Sequence, residues 1–393
     1  MTASLVAQQD ALLAVYPRAP MEFVRGEGVE LVDGDGRRYL DFVAGIAVNA
    51  LGYGDLGLTR ALHEAADRAL VHVSNLYRSA PGERLAERLV ERSFADRVFF
   101  CNSGAEANEA AFKLARRWGR ARGGSAKHEI VALRGGFHGR LFGSLAATDR
   151  PTYRAPFRPL AGGISIVERD LSDLDAVVRA DTTCAVIAEP VQGEGGVRVL
   201  EPEFLHGLRD LTRERNALLI LDEIQCGYGR TGAFWGYEHA GIEPDLLTIA
   251  KPMAGGLPMG AVLATTAAAE AIRPGDHGTT FGGGPFVASV ALHVLERLSD
   301  PQLLAHVRSN GAWLGDALRA IAARSRRVRA VRGVGYIWGL DVVSPAKTVV
   351  TRALERGLLV CTAGEHTVRL LPPLVMDRAA LERGVTLLAE AIE

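Results

Sequence analysis

With 393 residues, 48% of them hydrophobic and 23% charged, the chain is long enough to bury a large core, and two domains, or one with an elaborate periphery, are expected. Its 45 basic and 46 acidic residues leave a formal net charge of -1, which excludes a single-sign field of the kind that draws nucleic acid or an anionic membrane, so a small-molecule partner is the default. The opening MTASLVAQQDALLAVYPRAP shows no secretory signal, no run of about 18 apolar residues follows, and Cys101, Cys184, Cys226 and Cys361 lie far apart without metal-ligand or CxxC spacing, so a reducing cytoplasm fits best.

From the amino terminus, residues 23–42 (FVRGEGVELVDGDGRRYLDF) alternate around DGDG, a hairpin signal. RVFF at 97–100 is followed by a helical pattern in which Ala107, Ala110, Ala111, Leu114, Ala115 and Trp118 share one face before Gly119. RARGGSAK at 120–127 reads as a plain surface loop. EIVAL at 129–133, ISIV at 164–167, AVIA at 185–188, ALLIL at 217–221 and DLLTIA at 245–250 suit strands buried on both faces of a parallel sheet. An α/β layer domain over 61–282 is expected. Helices at 301–323 and 376–392, with short strands within 328–342 and 357–371, join the amino-terminal hairpin in a smaller α+β domain formed by 1–60 and 283–393. No internal repeat is visible.

Four stretches carry chemistry. In ALLILDEIQCGYGRTG the apolar run ends at Asp222, at the strand edge where open α/β sheets put their ligands; alone, it could equally be a residue that terminates the strand. DLLTIAKPMAGGLPMGA ends its run at Lys251, one of only four lysines with Lys113, Lys127 and Lys347, and a lysine before a glycine-rich turn could simply be solvated. Taken together they supply the amine and the acid that a pyridoxal cofactor requires for its aldehyde and its ring nitrogen. CNSGAEANEAAFKLARRWG places Ser103-Gly104-Ala105 at a helix start, suited to a phosphate or to an ordinary capping box with Glu106. In GGFHGR at 135–140, Phe137 could stack on a ring and Arg140 could grip a carboxylate, or the segment could be a plain loop; His138 has no companion ligand and reads as a loop histidine, with no metal.

These motifs, with GIAVNALG at 45–52, AEPVQGEGG, HGTTFGG and VRLLPPL, make the chain similar over nearly its whole length to class III aminotransferases of pyridoxal-phosphate fold type I, and within them to acetylornithine aminotransferases. The resemblance implies an α/β fold with a mostly parallel central sheet in the large domain, a homodimer with shared active sites, and pyridoxal 5'-phosphate as cofactor. It implies that Lys251 holds the cofactor as a Schiff base, Asp222 pairs with the ring nitrogen, Gly104 and Ala105 bind phosphate, Phe137 stacks on the ring and Gln225 reaches its hydroxyl. Thr280 matches a threonine that contacts the phosphate from the neighbouring subunit, and Thr279 a substrate-contacting neighbour. Arg140 matches the reader of a distal carboxylate, and Glu194 and Arg369 match a movable pair. The chain departs from the pattern in GYGDLG at 52–57, PMAGG before Leu257, Gly284, and Leu141 after Arg140. These departures bear on substrate choice.

The implied reaction moves the terminal amino group of N2-acetyl-L-ornithine to 2-oxoglutarate in a ping-pong cycle. Succinylornithine, N-acyl-lysine and 4-aminobutyrate donors are the near alternatives, and Gly45 stands where ornithine enzymes of this kind tend to carry a tyrosine. An aminomutase or decarboxylase on the same scaffold would use the same lysine and aspartate. A cofactor-binding regulator would need a basic helix-turn-helix extension, which the sequence lacks.

Overall fold

The computed structural model describes residues 11–393, so the first ten residues of the opening stretch lie outside the described residues. A seven-stranded sheet runs in the order Arg97–Cys101, Gly260–Ala264, Leu246–Ile249, Leu218–Asp222, Thr183–Ala188, Glu129–Leu133, Ile164–Val167. Gly260–Ala264 is antiparallel to both neighbours, and the remaining pairs are parallel. The apolar runs thus become strands where expected. The antiparallel strand follows the glycine-rich turn after Lys251 and was hidden by it in the sequence. Thr183–Ala188, Leu218–Asp222 and Leu246–Ile249 are buried at every position, as mainly apolar strands covered on both faces must be.

The helix Gly104–Gly123 lies across this sheet, against Gly260–Ala264, Leu246–Ile249 and Thr183–Ala188. It does not stop before Gly119, and RARGGSAK is not a surface loop: the helix continues to Gly123, a 3-10 turn covers Gly124–Ala126, and Lys127 is buried. A Cβ at Gly119 would lie 2.3 Å from the Lys127 carbonyl oxygen and 2.7 Å from Cys184 Cβ, so this glycine admits close packing instead of capping the helix. The positive φ at Gly124, +67°, ends it.

Both ends of the chain meet in smaller sheets. Phe23–Glu27, Glu30–Asp33 and Arg38–Asp41 form an antiparallel meander, two turns where one hairpin was expected, and Leu358–Leu359 adds in parallel to its last strand. Val328–Val334, Ile337–Val342, Thr367–Leu370 and Cys361–Thr362 form a second, antiparallel sheet. Helices Pro301–Arg324, Ala346–Glu355 and Arg378–Ile392 pack around these strands.

Candidate active site

Asp222 is the last residue of the central strand Leu218–Asp222, and Lys251 opens the 3-10 turn after the neighbouring strand Leu246–Ile249. Gly255 and Gly256, at φ +59° and +109°, then turn the chain away, and a Cβ at Gly255 would press on Leu58. The two strand ends border a cavity of about 420 Å³. Its lining brings together Lys251, Asp222, Ser103, Gly104, Ala105, Phe137, Arg140, Glu194 and Gln225. Arg369 lies outside this lining, behind Glu194 and Gln225. Thr280 is exposed in a second cleft with Asn75, His72 and Thr279, and the Thr279 hydroxyl accepts from Nδ2 of Asn102, a residue of the cavity lining, at 3.4 Å.

Asp222 is 3% exposed and sits in a web of donors. Asn108 Nδ2 and His138 Nδ1 each stand 2.8 Å from its Oδ2, and the Ile224 amide donates to Oδ1 at 3.1 Å. Asn108 is fixed in turn by accepting from Thr248 at 2.8 Å and by donating to the His138 carbonyl at 2.7 Å. His138 is therefore no plain loop histidine. It is 2% exposed, and its Nε2 is buried without a partner. Burial depresses its pKa, but the hydrogen bond and charge of Asp222, with the charge of Glu189, outweigh burial and leave it raised. No cluster that could hold a metal occurs among the described residues. The sequence held one overlooked signal: Asn108 is a polar residue on the apolar stripe, at helical spacing from Ala111 and Ala115.

Glu189, at the end of Thr183–Ala188, was missed too. Its carboxylate accepts the Phe137 amide at 2.8 Å and so fixes the FHGR segment; burial pushes its pKa up to about 8 against the opposing charge of His138. Arg140 lays its guanidinium 3.7 Å from the Tyr153 ring centroid, at the exposed rim. Ser103 caps its helix, its hydroxyl accepting from the Glu106 amide at 3.2 Å, while Glu106 reaches back to the Asn102 amide at 2.6 Å. The cap leaves the amides of Gly104 and Ala105 at a positive helix end that faces the cavity. Burial pulls the Lys251 pKa below the ordinary lysine range, and the carboxylates of Glu194, Asp222 and Glu189 only partly offset that.

Across the cavity, Arg369 NH2 pairs with Glu194 Oε1 at 2.7 Å and Arg369 NH1 donates to Gln225 Oε1 at 3.1 Å. The Arg369 side chain is 2% exposed and that of Glu194 24%, so the carboxylate is the member that meets the cavity. Burial disfavours the guanidinium charge, but Cys361 and Glu194 more than compensate and raise its pKa. The Glu194 backbone is pinned: its carbonyl accepts from Arg150, and the neighbouring Gly195 would put a Cβ 2.4 Å from the Gly135 carbonyl oxygen.

An amine with a lowered pKa, a carboxylate held by three donors and a capped helix start around one cavity form a donor set that suits a flat, phosphate-bearing aldehyde. A family model for class-III aminotransferases matches residues 14–392. The chain belongs to the class-III aminotransferases. The enzyme is 45% identical to the mitochondrial acetylornithine aminotransferase of Alnus glutinosa, over 97% of this chain and 85% of the relative, and 44% identical to the succinylornithine transaminase of Yersinia pseudotuberculosis, over 97% and 94%. Its fold superposes on the N-acetylornithine aminotransferase of Stenotrophomonas maltophilia with a TM-score of 0.84 at 36% identity, each chain covered to 96%. On the ornithine aminotransferase of Toxoplasma gondii the TM-score is 0.93 at 28% identity, with 97% and 92% covered. The expected α/β fold is borne out by these neighbours and by the sheet above. No helix among the described residues is long and apolar enough to cross a membrane.

Proposed function

We propose that this aminotransferase moves the terminal amino group of N2-acetyl-L-ornithine to 2-oxoglutarate, giving N-acetylglutamate semialdehyde and glutamate in arginine biosynthesis. Its cofactor is pyridoxal phosphate, which when bound supplies an aldehyde for an amine and a ring that accepts the electrons released as a carbon–hydrogen bond breaks. Lys251 would hold the cofactor and, as a free amine, would carry a proton to and from the substrate carbon. Asp222, oriented by Asn108 and His138, would keep the ring nitrogen protonated. The amides of Gly104 and Ala105 and the hydroxyl of Ser103 would bind its phosphate, Phe137 would stack on its ring, and Gln225 would reach its ring hydroxyl. Two subunits share each site, with Thr280 of the partner subunit completing the phosphate cradle and Thr279 beside the substrate. The exposure of Thr280, away from the cavity of its own chain, agrees with such sharing. The two-domain division at 61–282 and a cytoplasmic setting complete the proposal.

One observation carries the substrate reading: Arg140 lies at the exposed rim, its guanidinium over the Tyr153 ring and in no ion pair among the described residues, while Arg369 is held in reserve behind Glu194 at 2.7 Å. Acetylornithine has a single carboxylate, remote from the reacting amine, and Arg140 reads it. Glutamate and 2-oxoglutarate bring a second carboxylate beside the reacting carbon. Glu194 then swings aside and Arg369 takes that charge, so no buried ion is left unpaired in either half of the cycle. Succinylornithine is the second reading, supported by the Yersinia relative. A donor panel with 2-oxoglutarate as acceptor tests both. Acetylornithine is expected to give the highest kcat/KM, ahead of succinylornithine, ornithine and 4-aminobutyrate; a preference for either of the last two contradicts the proposal.

A further inference from the structure

Glu194 and Gln225 hold only two of the three nitrogens of the Arg369 guanidinium. The third, Nε, donates to Cys361 Sγ at 3.4 Å, and the same thiol stands 3.8 Å from the Arg369 carbonyl oxygen, to which it donates. Cys361 and Arg369 are direct partners across the antiparallel pair Cys361–Thr362 and Thr367–Leu370, so their side chains rise from the same face of the sheet. One thiol therefore ties the arginine side chain to its own backbone. The second hold, Gln225, packs closely over Gly193, where a Cβ would stand 1.9 Å from Gln225 Oε1, so only glycine leaves room for it. Cys101, Cys184 and Cys226 are fully buried, and among the described residues Cys361 is the cysteine in contact with a charged side chain of the site.

We propose that Cys361 is a positioning residue for the second carboxylate, keeping the Arg369 guanidinium stationary when Glu194 leaves it. The inference rests on the reading of Arg369 given above. While the donor is bound, Glu194, Gln225 and Cys361 all hold the guanidinium, and loss of one hold is tolerated. With glutamate or 2-oxoglutarate bound, Glu194 is gone, and only Gln225 and Cys361 aim the two free N–H groups at the incoming carboxylate. A buried charged donor without its acceptor then loses about tenfold in affinity for that carboxylate.

Two variants separate hydrogen bonding from packing. Cys361→Val fills the volume but accepts nothing; Cys361→Ser keeps an acceptor on a shorter bond. Single-turnover spectroscopy of the holoenzyme, run separately with acetylornithine and with glutamate, reads each half of the cycle. For Cys361→Val the apparent Kd for glutamate should rise about tenfold with the acetylornithine half within about twofold of wild type, and Cys361→Ser should recover most of the loss. Equal losses in both halves, or equal behaviour of the serine and valine variants, overturn the proposal. Arg369→Ala measured alongside keeps the two claims apart. If Arg369→Ala impairs the glutamate half selectively and Cys361→Val does not, only the role of Cys361 fails. If Arg369→Ala impairs both halves alike, the reading of Arg369 fails first.

Discussion

Exchanging Asp222 for asparagine replaces one carboxylate oxygen with an amide nitrogen of nearly the same size. In the structure three donors converge on that carboxylate, from Asn108, His138 and Ile224, at 2.8, 2.8 and 3.1 Å. A hydrogen bond to a charged group contributes about 1.5–3 kcal/mol and a neutral one about 0.5–1.5, so weakening two of them costs about 2 kcal/mol. Removing a charge that is 3% exposed also returns a desolvation cost of comparable size, and the apoenzyme should melt close to wild type. Catalysis has no such offset. In the proposed role Asp222 would be a fixed anion for the ring nitrogen, and losing one such group costs about 10²–10³ in turnover. Stopped-flow absorbance of both half-reactions, paired with thermal melts of apo and reconstituted protein, measures the two effects separately. Turnover within about threefold of wild type would refute the assignment of Asp222, and with it the purpose of the Asn108–His138 web.

Arg140→Lys should raise KM for acetylornithine by about 10–100-fold while cofactor retention stays unchanged, because a lysine cannot offer the two-pronged face or stack on Tyr153; unaltered KM means the carboxylate is read elsewhere. Gly193→Ala drives a methyl group into Gln225, 1.9 Å from Oε1 in the present geometry, and should cost about 1–3 kcal/mol in a thermal melt and slow the glutamate half more than the donor half. The depressed pKa of Lys251 sets a pH dependence. Burial disfavours the ammonium, so the neutral, nucleophilic amine is present at lower pH than in a free lysine, whose value is 10.5. Cofactor uptake by apoenzyme should therefore rise with pH and level off before that value, and a midpoint at or above it contradicts the burial argument.

The parallel sheet was legible because its central strands are short, mainly apolar runs, the pattern that burial on both faces demands, whereas the strand Ile164–Val167, expected to be buried on both faces, exposes Ser165 because it forms the sheet's outer edge. Asp222 and Lys251 were legible as the polar residues at which two such runs stop. The strand Gly260–Ala264 was not, since its small residues and the preceding prolines and glycines read as turn; its strand character comes from pairing on both sides. Gly119 misled for a related reason: a glycine required by a close approach to Lys127 and Cys184 has the same letter as a glycine that caps a helix. His138 was misjudged because its partner is 84 residues away in the chain and only the fold brings the two within 2.8 Å. Cys361 carries no motif at all. Its contact with Arg369 depends on register across a hairpin, which single-residue reading does not supply.

The assignment of Lys251 underlies every other role, and one experiment addresses it directly. Holoenzyme treated with borohydride should fix the cofactor to the lysine that holds it, and peptide mass mapping then locates the added pyridoxyl phosphate. With four lysines in the chain, Lys113, Lys127, Lys251 and Lys347, the result is unambiguous. The modification is expected on the peptide containing Lys251 alone, with Lys251→Ala retaining its fold while showing neither the adduct nor turnover. An adduct on Lys113, Lys127 or Lys347, or a Lys251→Ala protein that still turns over acetylornithine, contradicts the account.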